Sequence, residues 1–198
     1  NTNPGFFIIA AGLLLPLARD VVTRAMLLVG GPGVALVALI NAPGIGSDLA
    51  SVHVLGLDLV LYRPDSLSFV FGLAFIIASA IIGIYSLHRR DALQDSTAMI
   101  YAGAAVTAVF AGDLITLFIA WELTAVASVF QILAARTRES GRAAMRYLFF
   151  QMASGMLVLA GVCMYAASTG KTAFAQIAPS MAGLPVGVMD INAPGAVL

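Results

Sequence analysis

The sequence predicts an all-α polytopic membrane protein, and three observations carry that reading. Of its 198 residues, 61% are hydrophobic and only 10% charged, where soluble domains carry roughly 25% charged residues. Mean hydropathy is +0.99, so polar surface is too scarce to coat a water-soluble body. The apolar residues also gather into runs of about 20, the helical length that crosses a hydrocarbon core of about 30 Å. Finally, the basic residues collect in alternate connections between those runs, as the positive-inside rule requires of a multi-pass chain.

The elements follow in order. Residues 4–18 form a first, short span, and 21–41 a second. The second contains "GGPG" at 30–33; a proline lacks the amide hydrogen that continues a helix, so a kink is expected there rather than an ion-binding break. "SVHVLGLDLVLYR", residues 51–63, alternates loosely around Gly56 and predicts a short β-hairpin on the outer membrane surface. The third span is 66–87, with Asp65 as its N-cap. The fourth is 96–111, followed by 114–135 and 143–167, with room for the start of a seventh near Ala193. Ala104, Ala108 and Gly112 form a small-residue ridge suited to close packing. Residues 1–198 read as a single membrane domain. The opening "NTNPGFFIIA" lacks the basic segment of a secretory signal. With no initial methionine and an apolar "NAPGAVL" end, the chain is expected to be part of a longer one.

Distributing the ten lysines and arginines over alternate sides of six spans gives a lopsided result. Arg19, Arg24, Arg89, Arg90, Arg136, Arg138, Arg142 and Arg146 fall on one side, and only Arg63 and Lys171 on the other. The arginine-rich side is therefore expected to be cytoplasmic, with the N-terminus and the hairpin outside.

Against this background one residue stands out. "GDLITLFIAWELTAVASVFQIL", residues 112–133, carries Glu122 nine residues after Asp113, about 13 Å along the helix and close to mid-membrane. An acidic charge at that depth costs on the order of 2.5–3.5 kcal/mol even on lenient insertion scales, and such residues usually face a bundle interior or a wet cavity and serve ion or proton movement. In general, a carboxyl without a counter-charge in a low-dielectric site can exchange a proton near neutrality. No lysine or arginine lies at mid-height in any predicted span; the deepest, Arg24 and Arg146, sit in first turns and can snorkel. Glu122 is thus expected either to act alone or to pair with something outside these 198 residues. Ile115, Phe118, Ile119, Ala125 and Val126 share its side, while Thr116, Ala120, Thr124, Ala127 and Gln131 form a small, polar stripe opposite, suited to a neighbouring helix. The alternative role for Glu122 is structural hydrogen bonding.

The residues from Gly112 to Leu133 resemble the fifth-helix signature of the antiporter-like subunits shared by Mrp-type multisubunit cation/proton antiporters and respiratory complex I: a Gly-Asp-Leu start, a mid-helix Trp-Glu pair and small residues after it. "RPDSLS" at 63–68 resembles that family's lead-in to helix three, and "GRAAMRYLFFQMASGMLVLAGVCMYAASTG" at 141–170 resembles its helix six. The D subunit of Mrp antiporters is the most similar. The resemblance implies the N-terminal part of a roughly 14-helix fold with inverted repeats, in a bacterial inner membrane. It further implies that Glu122 pairs with a helix-seven lysine and modulates proton transfer at mid-membrane height.

Other candidates are weaker. Asp113 is expected to be a helix N-terminal acid favoured by the dipole. His88 at the end of the third span has a titration range suited to a proton relay; Thr116, Thr124 and Ser128 could line a water path, although hydroxyls in membrane helices more often satisfy backbone carbonyls. Arg142 and Arg146 read as topology anchors and lipid-phosphate contacts. Cys163, the single cysteine, is a small apolar residue that forms no internal disulfide. No nucleotide loop, metal-spaced histidine set or nucleophile elbow is present, so no cofactor, metal site or nucleic-acid partner is expected. Two function classes follow. The first is a proton-translocating antiporter subunit rather than an enzyme, exchanging Na+ or another monovalent cation for protons beside partner subunits and bilayer lipid, with a complex I-type proton pump as the variant. The second is a purely structural scaffold subunit.

Overall fold

Of the six α-helices among the described residues, five begin at a short polar side chain that accepts hydrogen bonds from the free amides of a first turn. The computed structural model describes residues 2–42, 50–54, 57–88, 91–170 and 172–174. In it Asp20 caps α2 (Val21–Ile40), Asp65 caps α3 (Ser66–Ser86) and Asp91 caps α4 (Ala92–Val109). Asp113 caps α5 (Leu114–Leu133), and Thr137 caps α6 (Arg138–Thr169). In α1 (Gly5–Leu14) Pro4 holds the cap position and the Asn3 side chain accepts from the Gly5 amide at 3.0 Å. A 3₁₀ turn, Leu15–Leu17, continues α1 toward α2. Two strands, β1 (Ala50–Val54) and β2 (Leu57–Tyr62), form an antiparallel hairpin between α2 and α3, as the alternation predicts.

Caps explain where expected and observed boundaries differ. α4 starts at Ala92 rather than residue 96, because the Asp91 carboxylate accepts from Leu93 and Gln94 amides. It ends at Val109, where Phe110 O turns to accept from the Arg63 amide at 2.9 Å; Gly112 of the small ridge therefore lies beyond the helix. α6 begins five residues earlier than residue 143, since Thr137 and Ser140 exchange side-chain and backbone bonds in a capping box. The stretch expected to hold a seventh span, near Ala193, and the residues Gly56, Arg89, Arg90 and Lys171 lie outside those described.

Six spans were expected; among the described residues, four helices are long and apolar enough to cross a membrane: α2, α3, α5 and α6. The segment Gly5–Leu17 is shorter. α4 is more polar because it is the most enclosed helix. It packs against α1, α3 and α5, and Asp95, Ser96, Thr97 and Thr107 are all buried on it. A helix shielded by its neighbours has little need of an apolar surface all round. Its contact with α1 is backbone to backbone at Gly5 and Gly103, and Ser96 Oγ donates to Gly12 O at 2.6 Å. Close approach of this kind is how membrane helices gain packing without a hydrophobic drive between them.

The proline in α2 does not break the helix. Pro32 lies inside a continuous Val21–Ile40 segment and is buried. Proline at that position removes the amide that would bond to the carbonyl four residues earlier, Leu28 O. Gly83 of α3 packs onto that same carbonyl, and a Cβ there would collide with it. The freed acceptor is thus covered by a glycine of the neighbouring helix rather than by lipid. Around this seam Ile8, Leu15, Leu28, Leu39, Tyr62, Ile76, Met99, Val106 and Phe110 form the apolar core.

Candidate functional site

The sequence of α5 requires two neighbours. Its small stripe has to meet a helix closely, and its carboxylate needs shelter from lipid. The stripe packs on α4: Thr116, Ala120 and Ala127 are buried, and Gln131 Nε2 donates to Thr97 O of α4 at 3.4 Å. Glu122 looks the other way, toward α6, and is half-buried. Phe118 is beside it, whereas Ile119 and Val126, expected on the same side, are exposed.

Where Glu122 meets α6, the facing residue is Gly155. Two openings share Phe118, Glu122 and Gly155 as walls. One is a small cavity of about 10 Å³ completed by Trp121, Gln151, Ser154 and Val158, room for about one water molecule. The other is a groove of about 160 Å³ completed by Met152, Met156 and Leu159. The carboxylate therefore sits between a chamber with an amide and a hydroxyl and a groove with thioethers and a leucine. Among the described residues, neither ion pair includes Glu122; those pairs are Arg24 with Asp95 and Arg136 with Asp91.

The other residues singled out by sequence lie elsewhere. Thr116 Oγ1 donates to Asp113 Oδ2 at 2.5 Å. Thr124 Oγ1 donates to Trp121 O at 2.6 Å and Ser128 Oγ to Thr124 O at 2.9 Å. His88 is exposed, two residues past the end of α3. None of these four lines either opening at Glu122. Arg142 and Arg146 lie on the first three turns of α6, and Cys163 is exposed on the same helix.

Asp113 does more than cap a helix. Fully buried, its Oδ1 accepts from the Ile115 and Thr116 amides at 2.8 Å, and its Oδ2 accepts from the Val60 amide of β2 at 2.7 Å. Gly112 N donates back to Val60 O at 2.9 Å. On the far side, Leu114 N donates to Thr172 O at 3.1 Å and Phe174 N to Gly112 O at 2.9 Å. The chain leading into α5 is thereby held between the hairpin and the residues following α6. This fixes the height at which Glu122 is presented.

Sequence reasoning missed three contributors. Asp95 is 3% exposed and forms a buried ion pair with Arg24, joining α4 to α2. It reads as an ordinary first-turn acid; the available signal was a basic residue in the first turn of a helix two spans earlier. Gln151 and Ser154, one turn and one residue before Gly155, are the polar lining facing Glu122. Gln151 lies four residues before Gly155 and Ser154 four before Val158, a spacing that marks a face of α6, but nothing in the sequence alone says which helix that face meets.

Comparisons with known proteins bear on this geometry. Residues 111–192 match the family described as NADH:quinone oxidoreductase/Mrp antiporter, TM. Among curated proteins none matches. The fold superposes with a TM-score of 0.68 and 19% identity on a chain of the membrane-bound sulfane sulfur reductase, an archaeal respiratory membrane complex. The match covers 94% of this chain and 30% of that one, so the sequence spans about a third of the length of its solved counterpart.

Proposed function

From the match of residues 111–192 to the NADH:quinone oxidoreductase/Mrp antiporter family, we propose that the chain is an antiporter-like, proton-translocating subunit of a larger membrane complex with Glu122 as its central proton-carrying residue. The observation that carries this is the seat of the Glu122 carboxylate: half-buried between α5 and α6, against Gly155, with Gln151 and Ser154 as polar neighbours. Acidic residues at mid-membrane height usually face a bundle interior or a wet cavity and serve ion or proton movement. In this reading the six helices all span the bilayer. They are the N-terminal part of a longer inverted-repeat protein of about fourteen helices, with the arginine-rich end in the cytoplasm of a bacterium. A lysine of the following helix completes a charge pair with Glu122.

The transported cation in this proposal is Na+, exchanged for protons beside partner subunits. A second setting, proton pumping driven by electron transfer elsewhere in the complex, is favoured by the respiratory nature of the complex that supplies the structural match. Sodium-dependent proton exchange in the absence of an electron donor separates the two. The shared claim is tested with Glu122→Gln in inverted vesicles carrying the assembled complex. Loss of a proton-transfer group lowers the rate by about 100-fold or more, and wild-type proton movement in the variant would contradict the proposal.

A further inference from the structure

Glycine inside a helix is a poor helix former, so each interior glycine of α6 calls for a packing reason. Gly161 has none: a Cβ there would meet nothing within 4 Å. Gly155 is different. A Cβ built on it would lie 2.5 Å from Glu122 Oε1, 3.0 Å from Cδ and 3.2 Å from Oε2, so its three nearest contacts are all with the side-chain carboxyl. The carboxyl thus rests directly on the α6 backbone, in space that alanine would fill.

The position matters because Gly155 forms a wall of both openings. At 100° per residue, Gln151, Ser154 and Val158 fall to one side of Gly155 on the helix, and Met152, Met156 and Leu159 to the other. One side offers an amide and a hydroxyl to an ionised carboxylate. The other offers thioether and alkyl surface, tolerable to a neutral acid and hostile to an anion. With no Cβ between them, the carboxyl can lean to either side without lifting from the helix.

We infer that Gly155 is a positioning residue for the transport reaction: it seats the Glu122 carboxyl on α6, where it borders both the small polar cavity and the methionine groove. The inference rests on the reading of Glu122 as the proton-carrying group and adds the feature that makes its location workable. A methyl group at 155 pushes the carboxyl off this seat, and displacement of a reacting group by about 1 Å lowers rates on the order of 100-fold.

The test uses the assembled complex in inverted vesicles, with the amount of assembled complex measured separately so that rates are expressed per complex. Gly155→Ala is expected to lose proton transfer per complex by about 10- to 100-fold, while Gly161→Ala on the same helix retains it. Glu122→Asp shortens the acid by one methylene and relieves the clash, so Glu122→Asp combined with Gly155→Ala is expected to transport faster than Gly155→Ala alone. A packing defect alone would lower the yield of complex but not the rate of each one. Wild-type rates per complex in Gly155→Ala, alongside inactive Glu122→Gln, would overturn this inference and leave the function intact; wild-type rates in Glu122→Gln would overturn the function itself. Should Gly155→Ala fail to assemble, the double variant decides: assembly and transport return if the clash is with the carboxyl, and their continued absence overturns the inference.

Discussion

Asp113 shows how much one side chain fixes at the residue scale. Its two oxygens accept four hydrogen bonds, from Ile115 N, Thr116 N, Thr116 Oγ1 and Val60 N. Removing them leaves both a helix start and a strand amide unsatisfied in a buried place, so Asp113→Ala is expected to lower stability by about 2–4 kcal/mol, measured by denaturant unfolding in detergent. Tyr62 is the opposite case. Its ring is buried edge-on to Phe110, with centroids 5.5 Å apart, and its hydroxyl is buried with no hydrogen-bond partner among the described residues. Burial pushes the Tyr62 hydroxyl's titration above its ordinary range. The folded state therefore holds that proton longer than the unfolded chain does. The associated stability is complete below the usual tyrosine range near pH 10 and is lost as pH rises through the higher folded value. Tyr62→Phe is expected to leave neutral-pH stability unchanged or slightly raised and to remove that alkaline loss, read from melting temperatures across pH. Asp65 and Asp113 were legible from sequence because a cap is a local device, an acid one residue before an apolar run. Asp95 was not, because its meaning depends on Arg24, 71 residues away in the chain.

At the scale of elements, each helix among the described residues falls on an apolar run of the sequence, and the departures at its ends have local causes. α4 starts early because Asp91 caps it, and α6 starts early because Thr137 and Ser140 do. The small polar stripe of α5 met a close neighbour as its composition predicts, but which neighbour it met is a tertiary fact that helical periodicity does not hold. The seam between α2 and α3 makes this concrete. Pro32 frees the Leu28 carbonyl, and Gly83 covers it. A side chain at 83 has no space, so Gly83→Val is expected to destabilise by about 1–3 kcal/mol through overpacking. Gly33 on the same α2 is exposed and open, with nothing within 4 Å of a built Cβ. Gly33→Ala is therefore expected to be neutral or to stabilise by up to about 1 kcal/mol through helix propensity. Melting temperatures of the two variants in the same detergent give the comparison.

The whole molecule is tied at both ends. At one end Arg24 pairs with Asp95 and Arg136 with Asp91; at the other, the hairpin, the start of α5 and the residues after α6 share hydrogen bonds around Asp113. Burial separates the two ion pairs in energy. Asp95→Ala or Arg24→Ala breaks a buried ion pair from one side and is expected to destabilise by about 3–5 kcal/mol, with the double substitution milder than the sum. Arg136 is 69% exposed at its side chain, and Arg136→Ala is expected to change stability by less than about 1 kcal/mol. Between these ends sits Glu122, and the account depends on its carboxyl changing protonation during turnover. Infrared difference spectroscopy of the complex in vesicles, recorded as a proton gradient is imposed, reads that event directly. The account predicts a carboxylic-acid band that appears with the gradient in the wild type and vanishes in Glu122→Gln. The same band in the variant, or none in the wild type while transport proceeds, would contradict it.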